Sequence, residues 1–192
     1  MKFHVLGIGD NILGHVPVEG WSDIANGAIH PLFNPAQVLI VLGLALLLGR
    51  QEPLRVSQPM CFFISAVALG LGLTLAGASL VASVPVLTGI SLCLGTLIAI
   101  GRRIPDKAIY LICLVAGLAL GLDSGMETGG AATIAKTFAG TWLGLSILVA
   151  YLALASSNAS SKPWAVTGVR VLGSWIVAIS LLVLAFALKG TR

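Results

Sequence analysis

Apolar residues in this chain come in long runs rather than in alternation. Six runs stand out, at residues 36–49, 60–77, 84–101, 108–122, 134–155 and 166–188. Polar or helix-breaking stretches separate them: Gln51-Glu52-Pro53, Gly77-Ala78-Ser79, residues 102–105, 123–130 and 156–163. A membrane-spanning helix takes about 20 mostly apolar residues. Five of the runs approach or reach that length, and the first falls short unless the turn before it is also embedded. The pattern predicts an all-α integral membrane protein with a bundle of about six transmembrane helices. A transmembrane β-barrel would need period-2 alternation, and the chain has none.

The first 35 residues follow a different rule. Gly7, Gly9, Gly14 and Gly20 interrupt them, and His30-Pro31 and Pro35 close them. No basic stretch followed by a cleavage site is present, so a secretory signal is not expected. Residues 21–29 have the length of a short interfacial or re-entrant helix, with Trp21 at headgroup level. Asn34 is placed to cap the next helix, with Pro35 at its first position. The expected organisation is an outer or interfacial segment at 1–35 and a six-helix transmembrane domain at 36–192.

Composition agrees with lipid as the solvent. Hydrophobic residues make up 57% of the 192 and charged residues only 9%, with a mean hydropathy of +1.02. That is too little polar surface to clothe a soluble core, since ordinary domains carry about 25% charged residues. The net charge of +4 therefore reads as a topology signal, not as nucleic-acid binding. Arg50, Arg55, Arg102, Arg103, Lys107, Lys162 and Arg170 fall on one side of a six-helix layout, seven of the eleven basic residues. By the positive-inside rule that side is cytoplasmic and both termini face out. A five- or seven-helix count would split the arginines between the two sides. Asp10, Glu19, Asp23, Asp123 and Glu127 give the outer face a negative character. The expected location is a bacterial inner membrane. The expected partners are the bilayer and either further copies of the chain or the subunits of a larger membrane complex, with no nucleic acid.

Most other motifs dissolve on inspection. Cys61, Cys93 and Cys113 lie inside apolar runs without metal-ligand spacing, which fits small buried hydrophobes. A single Asn34-Pro35-Ala36 lacks the second triplet that a water channel would need. Gly7 and Gly9 introduce no dinucleotide-binding pattern, and Met60 and Met126 are isolated. Trp142, Trp164 and Trp175 suit packing or interfacial anchoring. No nucleophile–base arrangement is visible and no soluble catalytic domain fits, so an enzyme is not expected. Gly117, Gly121, Gly125 and Gly129 recur every fourth residue, and Gly140 and Gly144 form another GxxxG. Such stripes let helix backbones approach closely.

Two stretches carry a resemblance. His30-Pro31-Leu32-Phe33-Asn34-Pro35-Ala36-Gln37 is similar to an H-P-x-x-G-x-D-H pattern. Ala116-Gly117-Leu118-Ala119-Leu120-Gly121-Leu122-Asp123 is similar to H-G-x-A-H-G-x-E. Both patterns belong to the HupE/UreJ proteins, membrane proteins associated with hydrogenase and urease maturation and regarded as nickel or cobalt permeases. The likeness extends from about residue 22 to the end and includes the six-helix layout. It implies a permease, with nickel or cobalt as the transported species and no resident cofactor. Of the four motif histidines only His30 remains. Ala36 and Gln37 stand where the family has Asp-His, Ala116 and Leu120 replace the other two histidines, and Asp123 replaces a glutamate. Imidazole nitrogen suits nickel and cobalt, so these exchanges remove most of the metal chemistry while keeping the scaffold glycines.

The candidate metal ligands are then His30, Asp123 and Glu127. Asn34 and Gln37 line the same predicted mouth, and Gly117 and Gly121 pack the helix below it. On a helix continuing past residue 123, Asp123 and Glu127 would share one face. Two functions follow from these residues. One is a permease for a metal ion or another small solute, with a degenerate metal site. The other is a non-catalytic accessory or structural subunit of a membrane complex.

Overall fold

Each of the six apolar runs forms one helix, and the short segment ahead of them forms a seventh. The computed structural model describes residues 20–51, 56–125, 130–160 and 162–189. Among these residues the helices are α1 (Asp23–Phe33), α2 (Pro35–Gly49), α3 (Ser57–Leu75), α4 (Ser83–Ile100), α5 (Asp106–Asp123), α6 (Ala131–Ser160) and α7 (Pro163–Lys189), and no strand occurs. Four of them, α3, α4, α6 and α7, are long and apolar enough to cross a membrane. Helices α1 and α2 reach that standard only as a pair, bent by 84° at their junction. Helix α5 carries Asp106 and Lys107 at one end and Asp123 at the other, which confines its apolar centre to 108–122.

The bend follows from local chemistry. Asn34 ends α1 in an extended conformation, and its Oδ1 accepts from the Ala36 amide at 3.0 Å to start α2, with Pro35 in the first turn. Pro35 offers no N–H and fixes its own φ, which suits a helix start. Pro31 was expected to end the preceding helix, yet it lies inside α1. Lacking an N–H, it leaves the Gly27 carbonyl without its helical donor. The Thr141 hydroxyl of α6 donates to that carbonyl instead, at 3.0 Å. A neighbouring helix thus repairs the break, as membrane helices require. Thr141→Val keeps the shape and removes the donor. It should cost about 1–3 kcal/mol, measured by equilibrium unfolding in detergent, and an unchanged stability would refute this role for the hydroxyl.

Helix α2 forms the centre. Its sequence has no polar face, and eleven of its fifteen residues are buried, as expected of a helix that is apolar all round. Helices α4 and α6 flank it, while α1 packs on α6, α3 on α5 and α7 on α4. Small residues set these crossings. Gly70 of α3 meets Gly121 of α5, and Gly117 lies against the Phe63 carbonyl. Gly95 of α4 lies on the Gly173 carbonyl of α7. Gly140 and Gly144 of α6 lie against the backbone of α1 at Ile24 and Ala28. Large apolar side chains such as Trp175, Leu182 and Phe186 point outward, toward where lipid would lie.

One boundary differs from expectation. Residues 156–160 continue α6 instead of forming a loop. Serine and asparagine are poor helix formers, but propagation of an existing helix adds one hydrogen bond per residue fixed. Ser156 is also buried there, against Gly49 of α2.

Candidate functional site

The break between α1 and α2 faces the C-terminus of α5, and three polar side chains meet there. Asp123, the last residue of α5, receives hydrogen bonds from Gln37 Nε2 at 2.6 Å and from Asn34 Nδ2 at 3.0 Å. Gln37 Nε2 also approaches Ser124 Oγ at 3.4 Å. Asn34 therefore uses both ends of its amide, its oxygen on the α2 cap and its nitrogen on Asp123. The positive end of the α2 dipole lies at the same place and favours a nearby carboxylate.

Gln37 is fully buried, and its Oε1 accepts no hydrogen bond. A buried amide oxygen without a donor is costly, about 1–3 kcal/mol, and such a group in a native fold calls for an explanation, a bound water or ion among them. The local oxygen set is the Asp123 carboxylate, Gln37 Oε1 and Ser124 Oγ. These are hard donors, suited to a cation or to a solute that offers hydrogen-bond donors.

The periodicity of α5 explains what lies below. A helix turns about 100° per residue, so Ala116 and Leu120, seven and three residues before Asp123, share its side. Both are fully buried. They are the residues at which the resemblance to the H-G-x-A-H-G-x-E pattern leads one to expect histidines, and on α2 Gln37 stands where the H-P-x-x-G-x-D-H pattern leads one to expect another. The two stretches thus converge in space, with Gln37 bonded to Asp123 and with Ala116 and Leu120 buried on the same side of α5. Gly117 and Gly121 lie on the other side of α5, against α3. They shape the helix pair and do not face the polar cluster.

His30 sits in the last turn of α1 and is half-buried. Glu127 lies outside the described residues. Helix α5 stops at Asp123, with Ser124 as its C-cap, and the face-sharing expected of Asp123 and Glu127 on a continuing helix falls on residues outside those described. Among the described residues no three His, Cys, Asp or Glu side chains gather as a metal-binding group. Ser124 was not foreseen, since nothing in the sequence distinguishes it from other serines at helix ends.

Towards the other end of the molecule the interior is closed. Below Gln37, α2 presents Ile40, Val41, Leu44, Ala45, Leu47 and Leu48, all buried. The buried hydroxyls of α4 and α7 satisfy one another or their own helices. Ser91 bonds to Ser180 Oγ at 2.7 Å and to the Thr88 carbonyl, and Thr88 bonds to the Val84 carbonyl. No charged side chain is buried among the described residues.

A comparison with curated proteins and with solved structures returns no match. The family model described as HupE / UreJ protein matches residues 4–183. That span covers nearly the whole chain and contains both motifs whose residues meet at Asp123. The chain belongs to the HupE/UreJ family.

Proposed function

We propose that this chain is a permease-type protein of a bacterial inner membrane and that the Asn34–Gln37–Asp123 cluster receives a metal ion or another small solute at its outer mouth. The observation that carries the reading is the buried Gln37 amide at a helix break, its Nε2 bonded to Asp123 and its Oε1 without a donor among the described residues. Discontinuous helices with polar groups at the break are a recurrent way of building solute sites in transporters. The oxygen-rich set favours a harder cation than the imidazoles of the family pattern would. Six crossings with both termini outside agree with the charge distribution, because Arg50, Arg102, Arg103 and Arg170 gather at the end of the bundle away from Asp123. No catalytic role is proposed.

The test is uptake of labelled nickel, cobalt and manganese by cells expressing the chain, its Asp123→Asn and His30→Ala variants, or an empty vector. Uptake above the vector control should fall at least about tenfold in Asp123→Asn if the carboxylate binds cargo, the equivalent of about 1.4 kcal/mol. Uptake equal to the vector, with the protein shown to be in the membrane, would end the metal-permease reading.

Ala116, Leu120 and the apolar core of α2 favour the second reading, an accessory subunit. They close the path below the polar cluster. Under that reading the chain co-purifies with a defined membrane partner and transports none of the three ions.

A further inference from the structure

The end of the bundle opposite Asp123 holds a feature that the transport reading does not use. Arg50 caps α2 and reaches across to α4, donating through Nη1 to the Ile98 carbonyl at 2.7 Å and through Nη2 to the Gly101 carbonyl at 2.8 Å. Arg170 of α7 donates through Nε to the Ala99 carbonyl at 3.2 Å. The two guanidinium groups crowd one point. Arg50 Nη2 and Arg170 Nε lie 3.1 and 3.2 Å from where a Cβ on Gly101 would stand. Gly101 itself has φ +75°, so the chain turns sharply there and brings Arg102 and Arg103 directly after the α4 terminus.

Beside these groups lies a cavity of about 170 Å³, open on one side and lined by Leu47, Arg50, Gln51, Gly101, Arg102 and Arg103. Three of the six lining residues are arginines, and among the described residues none of the three is ion-paired. The C-termini of α2 and α4 contribute only about half a negative charge each. Among the lining residues the three guanidinium charges thus outweigh the two helix ends. Partial burial, and then the charge of Arg170, holds the Arg50 guanidinium below its ordinary range. An anion in the cavity would relieve both effects. Arg50 spends one N–H of each terminal nitrogen on carbonyls, which fixes its guanidinium at the wall of the cavity, and guanidinium groups are suited to phosphate oxygens.

We propose that this cavity binds a phosphate group, as carried by an anionic phospholipid headgroup or by inorganic phosphate. Arg50 forms its fixed wall, and Arg102 and Arg103 close over it from the loop. Basic pockets between membrane helices on the cytoplasmic side are suited to anionic headgroups. The cavity opens where such a headgroup would sit if the arginine-rich end faces the cytoplasm.

The experiment uses the full chain purified in a neutral detergent, with thermal unfolding followed at constant ionic strength. The probes are phosphatidylglycerol, phosphatidylcholine and inorganic phosphate, each added separately to wild type and to Arg102→Gln/Arg103→Gln. Both exchanged arginines are exposed, so the variant should fold. At tenfold excess over its dissociation constant the bound probe should raise the wild-type Tm by about 3–6 °C, and at least half of that rise should vanish in the variant. A rise with phosphatidylglycerol alone identifies a headgroup site, and a rise with inorganic phosphate identifies a site for the free anion. No rise with either, an equal rise with phosphatidylcholine, or an undiminished rise in the variant would overturn the proposal.

Discussion

Gly140→Ala should lower the stability of this protein by about 1–3 kcal/mol, and Gly140→Val by more. A Cβ on Gly140 would collide with the Ile24 carbonyl of α1, and the reciprocal Gly27 meets the Thr137 carbonyl of α6 in the same way. The obstructing atoms are backbone, so no rotamer change relieves them. Overpacking of this kind costs about 1–3 kcal/mol and sometimes more. For a chain of this length each kcal/mol lowers Tm by about 2–4 °C. Gly72, Gly89 and Gly168 provide the control, because no atom lies within 4 Å of a Cβ built there. Alanine at those sites should be neutral or stabilising by up to about 1 kcal/mol, since it is the better helix former. Thermal unfolding of the four alanine variants decides the matter. Equal behaviour of the two groups would show that α1 does not press on α6 as described.

Asp123→Leu should be the most damaging change in the polar cluster, costing about 2–3 kcal/mol. It leaves Gln37 Nε2 without its 2.6 Å acceptor and Asn34 Nδ2 without its 3.0 Å acceptor. Each stranded donor costs about 1–3 kcal/mol. The sum is not reached for two reasons. Removing the carboxylate also removes its own desolvation cost, and hydrogen bonds between membrane helices tend to the low end of the range, about 0.6 kcal/mol on average. Asp123→Asn keeps an acceptor oxygen and should cost about half as much. Unfolding by a denaturing detergent, with helicity as the readout, measures both. A leucine variant as stable as wild type would mean that the α2–α5 contact does not depend on these bonds.

Much of the architecture was legible because a membrane helix needs only length and apolarity. The six runs all formed helices, and so did the short segment ahead of them, which runs through Pro31 to Phe33. What could not be read was which way each helix faces. The centre of α2 is apolar on every side, so nothing in 38–49 marks the neighbour of Gln37. The same uniformity hid the partner of Asp123, 86 residues away in the chain. Asn34, Gln37 and Asp123 were each visible as polar residues near a mouth, but their bonding required the fold. Pro31 misled because the Thr141 donor that makes it tolerable lies 110 positions later. The arginines at 50 and 170 were visible as topology markers, yet their grip on the α4 carbonyls depends on where three helices end.

The packing of α1 on α6 also sets an order of events during synthesis. Gly27 and its hydrogen-bond partner Thr141 are separated by 114 residues. Translation at about 5–20 residues per second places roughly 6–23 s between them. Through that interval α1 can meet only α2, its lesser neighbour, and α2 lacks one of its two main flanks. The bent α1–α2 pair therefore stays without the Thr141 hydrogen bond until the helix that supplies it has been made.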